Sequence, residues 1–470
     1  MPWTTAESSP NTFTRPLGPN EVFIKLVSDP GHPLGRENWA VNYTATIAPR
    51  GAFTALSNSP DLLPTLIRYS WLHLRFQHPS LAAHPDSNSN VVYTVPDSTD
   101  ALSQWATETF STEADAQSVN DIIPTIAPAD DARLYYIPKS SELLLHTAHW
   151  RMDGVGGLFL LGQLVDMMVS HADTLLSGKL PDPFDSFQWG SEVARLSLPV
   201  EEAGNMPLTV TDEQKAVAHG AVGTFALAAG ALGVSYTGNA SSVPSGTRAA
   251  ELKFSPATTS AVVSAAKARG VGVTAAVHAS LAAANFRNAI PEHQGRHYTS
   301  TIKLSLRPYL PEPYSTPAAA AGLYTSGWLA RVNASTTWEE NARLFHAEYQ
   351  KGISSEYLQG HREYASTLVE VIKNLPSPTE PPSDVDISSM GILEKYLQRE
   401  YGTLERGFGI MNAGVGVEIL SRQGVVFVWT FRDQLTLRLV YNEAFHTPEQ
   451  MTEFLQDLQA DLLKELRVAE

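Results

Sequence analysis

The order of strand and helix patterns predicts an α/β protein (an α+β sandwich) made of two mixed-sheet domains of similar size. Three observations predict it. The chain has 470 residues, too long for one ordinary core. Mixed strand and helix patterns run through it twice. Between the two runs, residues 182–245 are rich in Pro, Gly and Ser and weak in periodicity, as a domain crossover would be. The expected division is 1–200 for the first domain, 201–250 for the linker and 251–470 for the second.

The elements follow in order. Asn38 to Ile47 alternates as a strand, with Trp39, Val41, Tyr43, Ala45 and Ile47 on one face. Ser59-Pro60-Asp61 opens a helix to about Phe76, Ser59 serving as N-cap and Pro60 in the first turn. Its apolar stripe is Leu62, Leu63, Leu66, Ile67 and Trp71, and His78-Pro79 ends it. Strands follow near Arg133–Ile137 and Ser141–Thr147, then a strongly apolar helix from Leu158 to Met168. The uncharged stretch Gly220–Val234 is too short and Gly-rich to span a membrane, which takes about 20 apolar residues. It reads as a buried or flap-like helix.

In the second half, Glu251–Phe254 is a short strand. A helix starts at Ser255-Pro256 and stops at Gly270, a good C-cap. An alanine-rich helix covers Thr274–Arg287, and Ser300–Leu306 alternates as a strand ending in Arg307-Pro308. Leu375–Asp386 is a Pro/Ser loop. Strands at Val425–Phe431 and Leu435–Tyr441 precede a closing helix from Pro448.

Composition excludes several functions. The net charge of −16 and the lack of a Lys/Arg-rich run argue against nucleic acid as a partner. With no cysteine there is no disulfide, thiolate nucleophile or Cys-ligated metal. The polar, Pro-rich N-terminus lacks the pattern of a secretory signal, and LRVAE at the other end matches no targeting motif, so a cytoplasmic protein without a membrane partner is expected. No zinc-protease, P-loop, nucleophile-elbow or dinucleotide fingerprint is found.

One motif carries chemistry. His149-Trp150-Arg151-Met152-Asp153-Gly154 lies where a strand gives way to a helix. Among 14 His, a His-x-x-x-Asp match is nearly expected by chance. A following Gly, and then Gly156-Gly157, make it rare. Glycines allow a tight turn and close backbone approach, so an imidazole can be held in a channel. Histidine suits a general base because it is largely neutral near pH 7. The plain alternative is a satisfied core histidine beside a helix-capping Asp.

These residues resemble the HxxxDG signature of the condensation-domain and BAHD-like acyltransferase superfamily. Supporting stretches run in order along nearly the whole chain: His78-Pro79-Ser80-Leu81-Ala82, Trp189-Gly190-Ser191-Glu192, Leu306-Arg307-Pro308, Asn412-Ala413-Gly414 and Leu435–Phe445. The likeness is nearest to fungal trichothecene 15-O-acetyltransferase-like enzymes. It implies two chloramphenicol-acetyltransferase-like domains with a channel between them. It implies His149 as the base and Asp153 as its partner in the catalytic motif, holding the turn through an ion pair to Arg307. Gly154 and Gly157 shape that turn. The co-substrate implied is a coenzyme A thioester, with no bound cofactor and no metal. The acyl group is acetyl, and the acceptor a hydroxyl of a specialised metabolite.

Departures from the family patterns bear on the donor. Position 148, where peptide-forming condensation domains carry a second His, is Ala148, which weakens a carrier-protein reading. Arg406-Gly407-Phe408-Gly409-Ile410 matches the plant-type DFGWG loop poorly. Asn412, Gly414 and Thr430 border the channel by resemblance, and Tyr324 and Trp328 are candidate acceptor-pocket aromatics. For each the alternative is a structural role. His278 reads as packed, and His146 as facing away from His149. The competing functions are an acyl-carrier-protein-dependent condensing or off-loading enzyme, and a fold recruited for isomerisation, cyclisation or binding alone. A two-domain enzyme with an internal channel is expected to work as a monomer.

Overall fold

The computed structural model describes residues 2–7, 9–239, 241–375 and 380–469. Among the described residues four sheets are formed. The largest has six strands in the order Glu400–Gly402, Arg406–Val417, Val41–Gly51, Glu142–Thr147, Arg133–Ile137 and Phe110–Thr112. A four-stranded sheet runs Val385–Ile392, Gly424–Phe431, Gln434–Asn442, Thr247–Lys253. Tyr298–Ser305 pairs antiparallel with Thr325–Val332, and a small sheet joins Ser9–Pro16 to Asn90–Thr94 and two short flanking strands.

Two large apolar cores hold these layers. The first gathers the six-stranded sheet with the helices Leu62–Gln77 and Gly154–Leu176. The second joins the four-stranded sheet, Tyr298–Ser305 and Thr325–Val332 to the helices Val273–Arg287 and Pro448–Leu466. The strand Arg406–Val417 comes from late in the chain yet pairs with Val41–Gly51 over its whole length, from Arg406 opposite Gly51 to Val417 opposite Val41. With its neighbour Glu400–Gly402 it therefore lies in a sheet whose other four strands come from the first half.

Local sequence explains most elements. In Val41–Gly51 the side chains of Tyr43, Ala45 and Ile47 are buried while Thr44 and Thr46 are less so, the period-two pattern of a half-buried strand. Ser255 caps Pro256–Ala268 by accepting from the Thr258 N–H at 3.0 Å, and Gly270 just beyond has φ +70°. The helix Gly154–Leu176 is long and apolar enough to cross a membrane, but most of it is wrapped by the first core.

Several expectations are corrected. Trp39 stands before the strand, in a left-handed turn at φ +64°. The early helix starts at Leu62, with Asp61 at the cap position and Ser59 making no cap bond. Between that strand and this helix, residues 52–58 form a 3-10 helix. Gly220–Val234 is no buried helix: Asp212–Gly223 ends there, a 3-10 turn follows, and much of the stretch is exposed. Part of the Leu375–Asp386 loop, residues 376–379, lies outside the described residues, and the strand Val385–Ile392 takes up its end.

Candidate active site

The strand Glu142–Thr147 ends at a tight turn, and the apolar helix begins at Gly154. Within the turn the Arg151 N–H donates to Ala148 O at 3.1 Å and the Met152 N–H to His149 O at 3.2 Å. Asp153 caps the helix, its Oδ1 accepting from the Gly156 N–H at 2.7 Å. Close approach explains two of the glycines. A Cβ on Gly157 would sit 2.1 Å from the Tyr43 ring, and one on Gly156 2.2 Å from Ala320 O. Tyr43 in turn donates its hydroxyl to Asp153 O at 2.7 Å.

The His149 ring is fixed by its own turn. Its Nδ1 is 3.0 Å from Met152 O. A carbonyl only accepts, so Nδ1 carries the proton and Nε2 keeps its lone pair. Among the described residues Nε2 has no hydrogen-bond partner. Burial holds the imidazole below its ordinary value, outweighing the Met152 carbonyl and the Asp153 charge, which act the other way. At neutral pH the ring is uncharged. Trp39 stands beside it, the ring centroids 6.5 Å apart.

Asp153 does not orient His149. Its carboxylate serves the turn and the far half of the chain. Arg307 Nε lies 3.1 Å from Oδ2, and the Tyr324 N–H donates to Oδ2 at 2.9 Å. Arg307 completes itself on Ala319 O at 3.0 Å, Ala320 O at 2.9 Å and Gly322 O at 3.1 Å, and lies over the Tyr324 ring. Both members of the pair are buried and their polar atoms are satisfied. Arg151, two residues earlier, is likewise buried. It ties the turn to Ser80 O at 2.8 Å and also donates to Ala83 O and Asp130 O. The chain at Ser80 and Ala83 thus supplies two carbonyls that anchor the motif through Arg151.

His149 lines a cavity of about 630 Å³. Val41, Val415 and Val417 come to its wall from the six-stranded sheet, and Thr301, Lys303, Asp386 and Phe427 from the other sheets. A second cavity, about 560 Å³, shares Val415 and Val417 with the first and reaches Arg248, Arg438 and His446.

The expected site residues fall into two groups. His149, Asp153, Gly154 and Tyr324 line the His149 cavity. The Tyr324 ring is fully buried and its hydroxyl donates to Leu198 O at 3.1 Å. Arg307 reaches the site only through Asp153. Asn412, Gly414, Thr430 and Trp328 are not on the lining: Asn412 Oδ1 accepts from Lys253 at 2.9 Å, Gly414 backs onto Thr44 and Trp429, and Trp328 donates to Glu348 at 2.8 Å. His146 turns away to Asn42 Oδ1 at 2.8 Å, and His278 is buried against Phe345. Reading the sequence missed Trp39 as a left-handed neighbour of His149, and missed Lys303 and Asp386. Alternation within their strands marks them only as polar, and their meeting depends on how two strands far apart in sequence are packed.

Comparison with known proteins bears on this site. No family model matches the chain. The chain is 39% identical to acetyltransferase pigO of Monascus ruber over 469 residues, covering 100% of this chain and 99% of that one. It belongs to this family of fungal acetyltransferases. O-acetyltransferase pigM of Monascus ruber is 29% identical over 471 residues, 100% of this chain and 88% of the other. The solved structure of the TRI3 trichothecene 15-O-acetyltransferase from Fusarium sporotrichioides has the same fold. Its TM-score is 0.80 at 18% identity, with 98% of this chain and 97% of that chain covered. This family's fold also occurs in condensation-type domains: an epimerization domain of tyrocidine synthetase B aligns at TM-score 0.60 and 11% identity, over 97% of each chain.

Proposed function

We propose that this acyltransferase moves an acetyl group from a coenzyme A thioester to a hydroxyl of a specialised metabolite, with His149 as general base. The observation that carries the reading is the fixed tautomer: Nδ1–H is held on Met152 O, and Nε2 keeps a free lone pair on a residue that lines the cavity. Nε2 takes the acceptor proton as the hydroxyl oxygen attacks the thioester carbonyl carbon. The tetrahedral intermediate collapses, the C–S bond breaks, and the imidazolium returns the proton to the leaving thiolate. Asp153 and Arg307 act as positioning residues, because neither has a hydrogen bond to the imidazole.

The test compares wild type with His149→Ala on acetyl-coenzyme A and, in the same assay, on an acetylated carrier protein. The reading predicts turnover with free acetyl-coenzyme A and a loss of about two orders of magnitude or more in the variant, with circular dichroism unchanged. Turnover retained in His149→Ala, or seen only with the carrier protein, contradicts it.

A further inference from the structure

The cavity wall contributed by the later strands holds an ion pair that the proposed chemistry does not use. Lys303, on the strand Tyr298–Ser305, is the only Lys or Arg on the lining among the described residues. Its ammonium donates to Asp386 Oδ2 and, at 2.7 Å, to Ile387 O. Asp386 is held on its other oxygen too: Oδ1 accepts from the Ser300 hydroxyl, the Thr301 N–H at 3.1 Å and the Ile387 N–H at 2.8 Å. The carboxylate is thereby fixed, and it fixes the ammonium. An ammonium has three N–H donors. Two are engaged, and the third has no partner among the described residues. The Lys303 side chain is 36% exposed while Asp386 is 16% exposed, so the open side of the pair is the lysine side, on a cavity it shares with His149.

We infer that Lys303 is a specificity-determining residue, and that its free N–H binds a neutral carbonyl oxygen carried by the acceptor away from the hydroxyl that is acylated. This rests on the proposed acyl transfer and names the acceptor class for it: a hydroxylated ketone, lactone or ester. A carboxylate fits less well. Asp386 offsets the lysine charge, and no other Lys or Arg among the described residues lines the cavity. A polar donor held in place and offered to a mostly apolar cavity discriminates strongly, because an acceptor without the matching oxygen leaves it unpaired.

The experiment measures binding without any acyl donor, so it stands apart from turnover. Cyclic hydroxyketones are titrated by calorimetry, each beside its counterpart with a methylene in place of the carbonyl. Wild type is compared with Lys303→Met and with the double variant Lys303→Met/Asp386→Asn, which leaves no uncompensated carboxylate. The expected result is that wild type binds at least one hydroxyketone about tenfold more tightly than its methylene counterpart, and that both variants lose this difference. Lys303→Gln, which keeps a donor, recovers part of it. No pair separated by more than twofold in wild type, or an unchanged difference in both variants, overturns the inference. Failure of the acyl-transfer reading would show itself differently, as no consumption of acetyl-coenzyme A by wild type with any acceptor.

Discussion

Two ion pairs reach the same cavity, and they are built for different work. Asp153–Arg307 is sealed, with side chains 5% and 3% exposed and every nearby donor and acceptor matched. Lys303–Asp386 has the same charges, but its lysine is 36% exposed and keeps an N–H in reserve. Burial separates them. A sealed pair gains little net stability over apolar packing, but losing one partner strands a charge, so it acts as a lock on geometry. An open pair costs less to break and can offer an atom to a ligand. What surrounds each pair therefore says more about its role than the charges do.

The sharpest way to break this contrast is Arg307→Met. It leaves Asp153 charged and buried, and a loss of about 3–5 kcal/mol is expected in denaturant unfolding. A loss under about 1 kcal/mol would mean that the pair is not the lock described. Next comes Gly157→Ala, which drives a Cβ into the Tyr43 ring on the helix that Asp153 caps. Overpacking should cost about 1–3 kcal/mol, read in the same unfolding curves, and turnover should fall as the turn carrying His149 shifts. The smallest stability effect is expected for Asp386→Asn, at about 1–2 kcal/mol, since Asn keeps an oxygen for the Ser300 and backbone donors and the ammonium left behind is open to the cavity. If Asp386→Asn cost as much as Arg307→Met, the two pairs would be equivalent and the contrast would fail.

The motif end of this comparison was legible in the sequence and the other end was not, for a physical reason. His149, Asp153, Gly154 and Gly157 are close in the chain, and a strand-to-helix turn leaves a spacing that can be read. The alternation of Val41 to Ile47 and the apolar run of the motif helix likewise mark local elements. Arg307 was reachable only through resemblance, because 154 residues separate it from Asp153. Lys303 and Asp386 are 83 positions apart. Nor does any local signal report that Arg406–Val417 leaves the second half to pair with Val41–Gly51. That pairing decides which faces of Asn412 and Gly414 meet the cavity, and both lie off its lining. Trp39 was misread because strand-like alternation continues through it, whereas its backbone is left-handed.

The pH dependence of acyl transfer bears most directly on His149 as an uncharged base. Burial lowers its pKa from the ordinary 6.5, so the base form is lost only as pH falls through that lowered value. kcat/KM measured from pH 4 upward with acetyl-coenzyme A should rise along one limb with its midpoint below 6.5, stay level through neutrality, and show no such limb in the residual activity of His149→Gln. A midpoint above 6.5, or the same limb in His149→Gln, would contradict the account.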